Sequence, residues 1–121
     1  MVRKNLPVMP NVVFFVQSSD PRNARVAIER AILLKENKAV NKMELIFGGE
    51  GTIPLATSSA AEIITRLNYA NRVGITMYAC GAGLFHNKLT SLDIPEFIPT
   101  VPFGILRTME LVRKGYVVMQ Y

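Results

Sequence analysis

Short apolar runs alternate with longer amphipathic segments along this chain of 121 residues. The first run, NVVFFVQ, is continuously apolar and rich in Val and Phe, which is typical of a strand buried on both faces of a sheet. Further runs recur at intervals that leave room for a helix between them. The pattern predicts strands at residues 11–17, 42–49, 73–79, 96–101 and 116–121.

The first predicted helix has apolar residues on two sides. Asp20 is suited to cap its N-terminus, Pro21 to occupy its first position, and the helix is expected to run to about Asn37. One apolar face is formed by Ala24, Ala27, Ile28, Ala31 and Leu34. Val26 and Leu33 fall near the charged face opposite. Two apolar residues there indicate a second contact surface and hence an oligomer.

Three more helices are predicted between the later strands. Ser59 and Glu62 have the spacing of a capping box at the start of the second helix. The segment GAGLFHNKL predicts a short third helix. Pro102 opens a fourth helix that ends at Lys114, and Gly115 follows in the position that favours a left-handed backbone.

The strand and helix order predicts an α/β fold. Helices between consecutive strands favour parallel pairing with right-handed crossovers. We therefore expect one domain over residues 1–121, with residues 1–10 as a short tail, built as a three-layer α/β/α sandwich with flavodoxin-like layering around a mainly parallel five-stranded sheet. Binding sites in such sheets lie beyond the carboxyl ends of the strands.

Composition narrows the function classes. No apolar run approaches the ~20 residues that span a bilayer, and Pro7 and Pro10 interrupt the N-terminal segment before it resembles a signal peptide, so we expect a cytoplasmic protein. The net charge of +5 is spread along the chain, which argues against nucleic-acid binding and favours acidic protein partners. A single cysteine forms neither an internal disulfide nor a cysteine-rich metal site, and we expect no metal and no cofactor.

Two motifs resemble known sites and fail on their details. The loop GGEGTIP begins like a dinucleotide fingerprint, but Pro54 stands where the third glycine belongs and no helix opens within the motif. We interpret it as a loop bordering a pocket. A phosphatase loop needs an arginine six residues after its cysteine, to bind phosphate through two parallel hydrogen bonds. This chain has His86 at that position, and a histidine cannot make that bidentate contact.

A phospho-receiver domain has a similar element order but needs an aspartate where this chain has Cys80. Cys80 is the strongest candidate for chemistry, since it follows a buried strand and precedes a predicted helix. A lone cysteine is often a small buried apolar residue. Here the helix dipole and the amides beside Gly81 and Gly83 would stabilise a thiolate. His86 is a weaker candidate.

The chain resembles the DsrE/DsrF-like family, which includes sulfur-relay subunits of the TusD kind and YchN-type small proteins. The resemblance runs from about Asn11 to Tyr121 and is carried by VVFFVQSSDP, AIERAILLKE, FGGEG, MYACGAGL and VPFGILRTMELVRKGYVVMQY, in that order. It implies an α/β fold and trimers or hexamers. In the sulfur-carrying members it also implies a persulfide-bearing cysteine after the third strand, the position of Cys80.

The leading hypothesis is therefore a sulfur carrier that holds a persulfide on Cys80 and exchanges sulfur with donor and acceptor proteins. Two alternatives stay open: an oligomeric module that binds a small ligand without catalysis, and a thiol redox sensor. Around Cys80, the residues expected to stabilise an anion or shape the pocket are Gly81, Ala82, Gly83, Ser18, Ser19, Gly49 and Gly51.

Overall fold

The structure is a computed structural model that describes residues 9–58 and 61–121. Four α-helices and five strands alternate along this part of the chain. The strands are β1 (Val12–Val16), β2 (Met43–Phe47), β3 (Thr76–Cys80), β4 (Thr100–Val101) and β5 (Val117–Gln120). The α-helices are α1 (Pro21–Glu36), α2 (Ala61–Arg72), α3 (Gly81–His86) and α4 (Gly104–Arg113).

The five strands form one parallel sheet in the order β4-β3-β2-β1-β5. Phe14 in β1 lies opposite Leu45 in β2 and opposite Met119 in β5, which fixes the register of the central strands. The α/β fold class predicted from the sequence is confirmed.

Alternate residues of each strand point to opposite faces, and different helices cover the two faces. Phe14, Leu45 and Met77 belong to the larger core, which also contains the buried residues of α1, α2 and α3. Val13, Phe15 and Ile46 pack on the other face against Leu111 of α4. The layers are thus three helices, the sheet, and a single helix.

The order of the strands places a crevice at the carboxyl ends of β3 and β4. The chain crosses the sheet from β1 to β4 in one direction, and α4 then carries it back to β5 over the opposite face. The helices that follow β3 and β4 therefore leave the sheet on opposite sides. Ligands bind in open α/β sheets at such a point, where neighbouring strands connect to opposite faces.

An ion pair holds α4 against the sheet. Arg107 donates from Nη2 to Glu44 Oε2 at 2.6 Å and from Nε to Glu44 Oε1 at 3.1 Å. Its guanidinium also lies 5.5 Å from the ring centroid of Tyr78. Glu44 is only 8% exposed, and the hydrogen bonds to it raise the pKa of Arg107 above its ordinary value. This two-pronged contact fixes α4 over β2 and β3.

Several boundaries differ from the sequence prediction. The fourth strand is Thr100–Val101 rather than residues 96–101, because the chain turns at Pro95, whose carbonyl accepts from Ile98 N–H at 3.1 Å. The segment predicted as a glycine-rich loop is a 3₁₀ helix over Gly49–Leu55. Ser59 of the predicted capping box, like residues 1–8 of the predicted tail, lies outside the described residues. No helix in the described part of the chain combines the length and apolarity needed to cross a membrane.

Candidate functional site

Cys80 is both the last residue of β3 and the N-cap of α3. Its Sγ accepts a hydrogen bond from the backbone N–H of Gly83 at 3.3 Å, the geometry that a serine or aspartate oxygen adopts in the same position. The residue is 7% exposed. The sulfur is thus held by a backbone donor at the start of a helix, as the sequence predicts.

Cys80 lies in the wall of an open cleft of about 360 Å³ at the crevice between β3 and β4. Gly49, Ala82 and Gly83, which the sequence predicts as pocket residues, are among its lining residues, and so is His86. The complete lining comprises Phe15, Gln17, Gly48, Gly49, Cys80, Ala82, Gly83, His86, Phe103 and Ile105.

Asn87, which follows α3, and Thr52 of the 3₁₀ helix hold the Gly48–Gly49 wall in place. Asn87 Nδ2 donates to the carbonyl of Gly49 at 3.0 Å and to Thr52 Oγ1 at 2.9 Å. Thr52 Oγ1 donates in turn to the same Gly49 carbonyl at 2.9 Å. Gly49 has a φ of +52°, a conformation that favours glycine. Gly48 packs on the ring of Phe15, where a Cβ would stand 2.4 Å from a ring carbon.

The start of α4 forms the opposite wall. Gly104 is packed so closely that a Cβ there would lie 3.2 Å from both the Cβ of Cys80 and the Cγ2 of Ile46. Its neighbours Phe103 and Ile105, each 51% exposed, present apolar side chains to the cleft. Sequence reasoning missed both residues. The signal available was the apolar pair that brackets Gly104 at the predicted helix start.

Other residues predicted for the pocket do not line it. Ser18 Oγ accepts from Asp20 N–H at 3.0 Å and so belongs to the turn that begins α1, and Gln17 occupies the cleft instead of Ser18 and Ser19. Gly51 is buried against β1, where a Cβ would stand 2.0 Å from the carbonyl oxygen of Val16.

The amides near the sulfur also differ from expectation. The N–H of Ala82 donates to the carbonyl of Pro102 at 3.1 Å and is therefore used within the fold. Gly81 packs against the end of β4 and is not a lining residue, since a Cβ there would lie 3.2 Å from the carbonyl oxygen of Val101. Of the three predicted amides, that of Gly83 is the one that donates to Cys80.

The cleft therefore combines one thiol, one backbone donor, an imidazole, the side-chain amide of Gln17 and apolar walls. None of the described lining residues carries a carboxylate or a lysine or arginine side chain. No group of three or more His, Cys, Asp or Glu suited to a metal ion occurs within residues 9–58 and 61–121. This arrangement suits chemistry at sulfur or binding of a small, largely apolar molecule.

Comparisons with known proteins identify solved structures with a similar fold. No protein-family model and no curated protein matches the chain. A protein of unknown function from Methanobacterium thermoautotrophicum, MTH1491, superposes with a TM-score of 0.82 at 18% identity, covering 93% of this chain and 99% of that one. A conserved protein of unknown function from Bacteroides thetaiotaomicron, BT1422, superposes with a TM-score of 0.70 at 16% identity, covering 95% and 100%. At these identities the similarity concerns the α/β fold alone.

Proposed function

We propose that this protein is a cytoplasmic sulfur carrier of the DsrE/DsrF-like kind, which holds a persulfide on Cys80. The observation that carries the proposal is the position of the Cys80 sulfur. It stands at a helix N-cap, accepts the Gly83 N–H at 3.3 Å, and borders an open cleft at the crevice of the sheet. Donors at a helix N-terminus stabilise a negatively charged sulfur, whether thiolate or persulfide.

The transfer is thiol exchange and needs no added oxidant. The Cys80 thiolate attacks the outer sulfur of a donor persulfide, forms the new S–S bond, and releases the donor as its thiolate. An acceptor thiolate later attacks the outer sulfur of the Cys80 persulfide and releases the Cys80 thiolate. The Gly83 amide is placed to stabilise the charge on Cys80 before the first attack and after the second.

The surface beside the cleft supports an oligomeric carrier, a trimer or hexamer. One side of α4 is apolar and exposed, and we call it the α4 apolar face. Its members are 44% to 60% exposed: Phe103, Ile105, Leu106, Met109 and Val112. Contiguous apolar surface of this kind favours contact with another chain. Because Phe103 and Ile105 also line the cleft, a subunit docked there would border the Cys80 site.

Mass spectrometry after incubation with glutathione persulfide tests the carrier function. We expect an adduct of one sulfur atom, about 32 Da, on the native protein. The adduct should be absent from Cys80→Ser and present in the control Phe85→Ala, which alters an exposed residue of α3 that does not line the cleft. It should disappear when a thiol acceptor is added. Absence of the adduct, together with alkylation of Cys80 no faster than that of free cysteine, would reject the proposal.

The second candidate is a non-catalytic module that binds a small ligand. The low exposure of Cys80 and the apolar walls formed by Phe15, Phe103 and Ile105 favour it. In that case Cys80 only packs. Its replacement by alanine would lower the free energy of unfolding, and the thiol would react slowly with every electrophile.

A further inference from the structure

The outer edge of β5 presents a row of backbone hydrogen-bonding groups that no other strand of the described residues pairs with. On its inner side, Val117 N–H donates to the Asn11 carbonyl at 2.8 Å, and Tyr121 N–H donates to the Phe15 carbonyl at 2.9 Å. Successive residues of a strand direct their backbone groups to opposite sides, so the N–H and C=O of Val118 and Gln120 point away from β1. Within the described residues, no strand pairs with this side.

Within the part of the chain that the structure describes, β5 lacks the features that usually protect an edge. Every residue from Val117 to Gln120 is exposed, and the strand contains no charged residue and no proline. Proteins normally protect such an edge with charges, prolines, bulges or a covering segment. An open, uncharged edge is a template for an added strand.

An apolar groove runs beside this edge on the α1 side of the sheet. It has a volume of about 280 Å³ and is lined by Phe14, Arg30, Leu33, Leu34, Met119 and Tyr121. Leu33 is 59% exposed and Met119 is 39% exposed, so both offer apolar surface to a side chain from an added strand. Val26, Arg30 and Leu33 are spaced to share one face of α1. The groove therefore accounts for Leu33, one of the two apolar residues that the helix pattern leaves on the side away from its core.

The charges around the edge are positive. Arg30 at one end contacts the Tyr121 ring at 5.7 Å and donates from Nη1 to the Tyr121 hydroxyl at 3.4 Å. Arg113 and Lys114 precede β5 at its other end. Among the described residues, none of these three cations has a carboxylate within 4.0 Å. The edge therefore complements acidic residues.

The same charges disfavour a second copy of this chain as the occupant. Antiparallel pairing of two β5 strands would bring Arg113 and Lys114 of one copy towards Arg30 of the other. Like charges that face each other across a strand pair are destabilising.

We propose that β5 is a docking edge for an extended acidic segment of another protein, which adds to the sheet as a sixth strand. Its backbone pairs with Val118 and Gln120, one apolar side chain enters the groove between Leu33 and Met119, and a carboxylate pairs with Arg30. In strand addition of this kind, backbone hydrogen bonds provide the affinity and alternate side chains provide the specificity. The proposal does not depend on the chemistry of Cys80.

Panning a phage-displayed library of random linear peptides tests the edge directly. The native protein is the bait, and Val118→Pro is used for counter-selection because it removes an outward N–H without removing a bond to β1. We expect enriched peptides in which apolar residues alternate with Asp or Glu. Measured by fluorescence anisotropy, their affinity should fall roughly tenfold in Val118→Pro and remain native in Val118→Thr, which keeps the N–H. Arg30→Gln should weaken binding and reduce its dependence on salt.

Hydrogen exchange supplies a readout that does not rely on a variant. Bound peptide should slow exchange at the amides of Val118 and Gln120, and native binding should persist in Cys80→Ser. Circular dichroism shows whether Val118→Pro is folded. The proposal is overturned if enriched peptides are basic, if they bind Val118→Pro as well as the native protein, or if nothing is enriched. Protection of the same two amides without peptide would assign the edge to contact between copies instead.

Discussion

Gly83 faces the backbone of Gly49 so closely that no side chain fits between them. A Cβ on residue 83 would stand 2.8 Å from the amide nitrogen of Gly49 and 3.0 Å from its carbonyl oxygen. The same Gly83 donates its N–H to Cys80 Sγ. One glycine therefore joins the wall of the cleft to the Cys80 sulfur.

Replacement of Gly83 by alanine should disturb both contacts. The added methyl group must push α3 away from Gly49, and such overpacking typically costs about 1–3 kcal/mol. We expect a lower free energy of unfolding in urea and an altered rate of Cys80 alkylation by iodoacetamide. Phe85→Ala, at an exposed position of α3 outside the cleft lining, should leave both quantities close to native. An unchanged urea midpoint in Gly83→Ala would contradict this packing.

Phe103 should control access to Cys80 for bulky reagents. Its side chain lines the cleft, so Phe103→Ala should increase the rate at which a large maleimide modifies Cys80 severalfold. Phe85 is a matched control because it is 86% exposed and is not among the lining residues. We expect Phe85→Ala to react at the native rate. Equal acceleration in both variants would show that access is not set by the α4 wall.

Asp20 should make the stability of α1 depend on pH. Its side chain caps the helix and pairs with Arg22 at 2.8 Å, and hydrogen bonds from Arg22 lower the pKa of Asp20 below its ordinary value of 3.8. The stabilising contribution is therefore present above that value and is lost as the pH falls through the lowered pKa.

Urea unfolding of Asp20→Asn across the acidic range tests this dependence. Asparagine keeps a capping oxygen but cannot pair with Arg22, so the variant should be less stable than the native protein at neutral pH. The difference should shrink as Asp20 becomes protonated, and added salt should also reduce it because the pair is exposed. A difference that is constant with pH would assign the effect to the cap alone.

A charge on the α4 apolar face should change the oligomeric state. Leu106 is 60% exposed in the isolated chain, and a lysine there would have to be desolvated in an interface. We expect Leu106→Lys to shift sedimentation towards the monomer while its circular dichroism spectrum stays native. Leu92→Lys is the control, since Leu92 is 92% exposed and lies outside this face. If the native protein sediments as a monomer, the proposed trimer or hexamer is contradicted.

Much of the fold and half of the cleft follow from local sequence patterns. Buried apolar runs predict parallel strands, and the carboxyl ends of parallel strands lie at one edge of the sheet. That rule places Gly49 and Cys80 at the same edge of the sheet, and they share one cleft in the structure because β2 and β3 are neighbours.

The remaining cleft residues depend on information that is not local. Phe103 and Ile105 reach Cys80 because α4 returns across the opposite face, and the strand order that requires this path cannot be derived from apolar runs. Whether Gln17 or Ser18 lines the cleft depends on the exact residue at which β1 ends. Gly51 carries a turn signal, but the 3₁₀ helix buries it against Val16 instead of exposing it to the cleft.

The neighbouring positions of β1 and β5 also determine how the chain can fold. The first strand is joined to its neighbour β2 by a single crossover that contains α1, but its other partner is the last strand of the sheet. Closing so long a loop costs more entropy than closing the one between β1 and β2, and contacts of high sequence separation slow folding. β5 is thus expected to join a sheet that has already assembled from β1 to β4. It should also be the first strand to detach, so that the native protein begins to open at the edge opposite to Cys80.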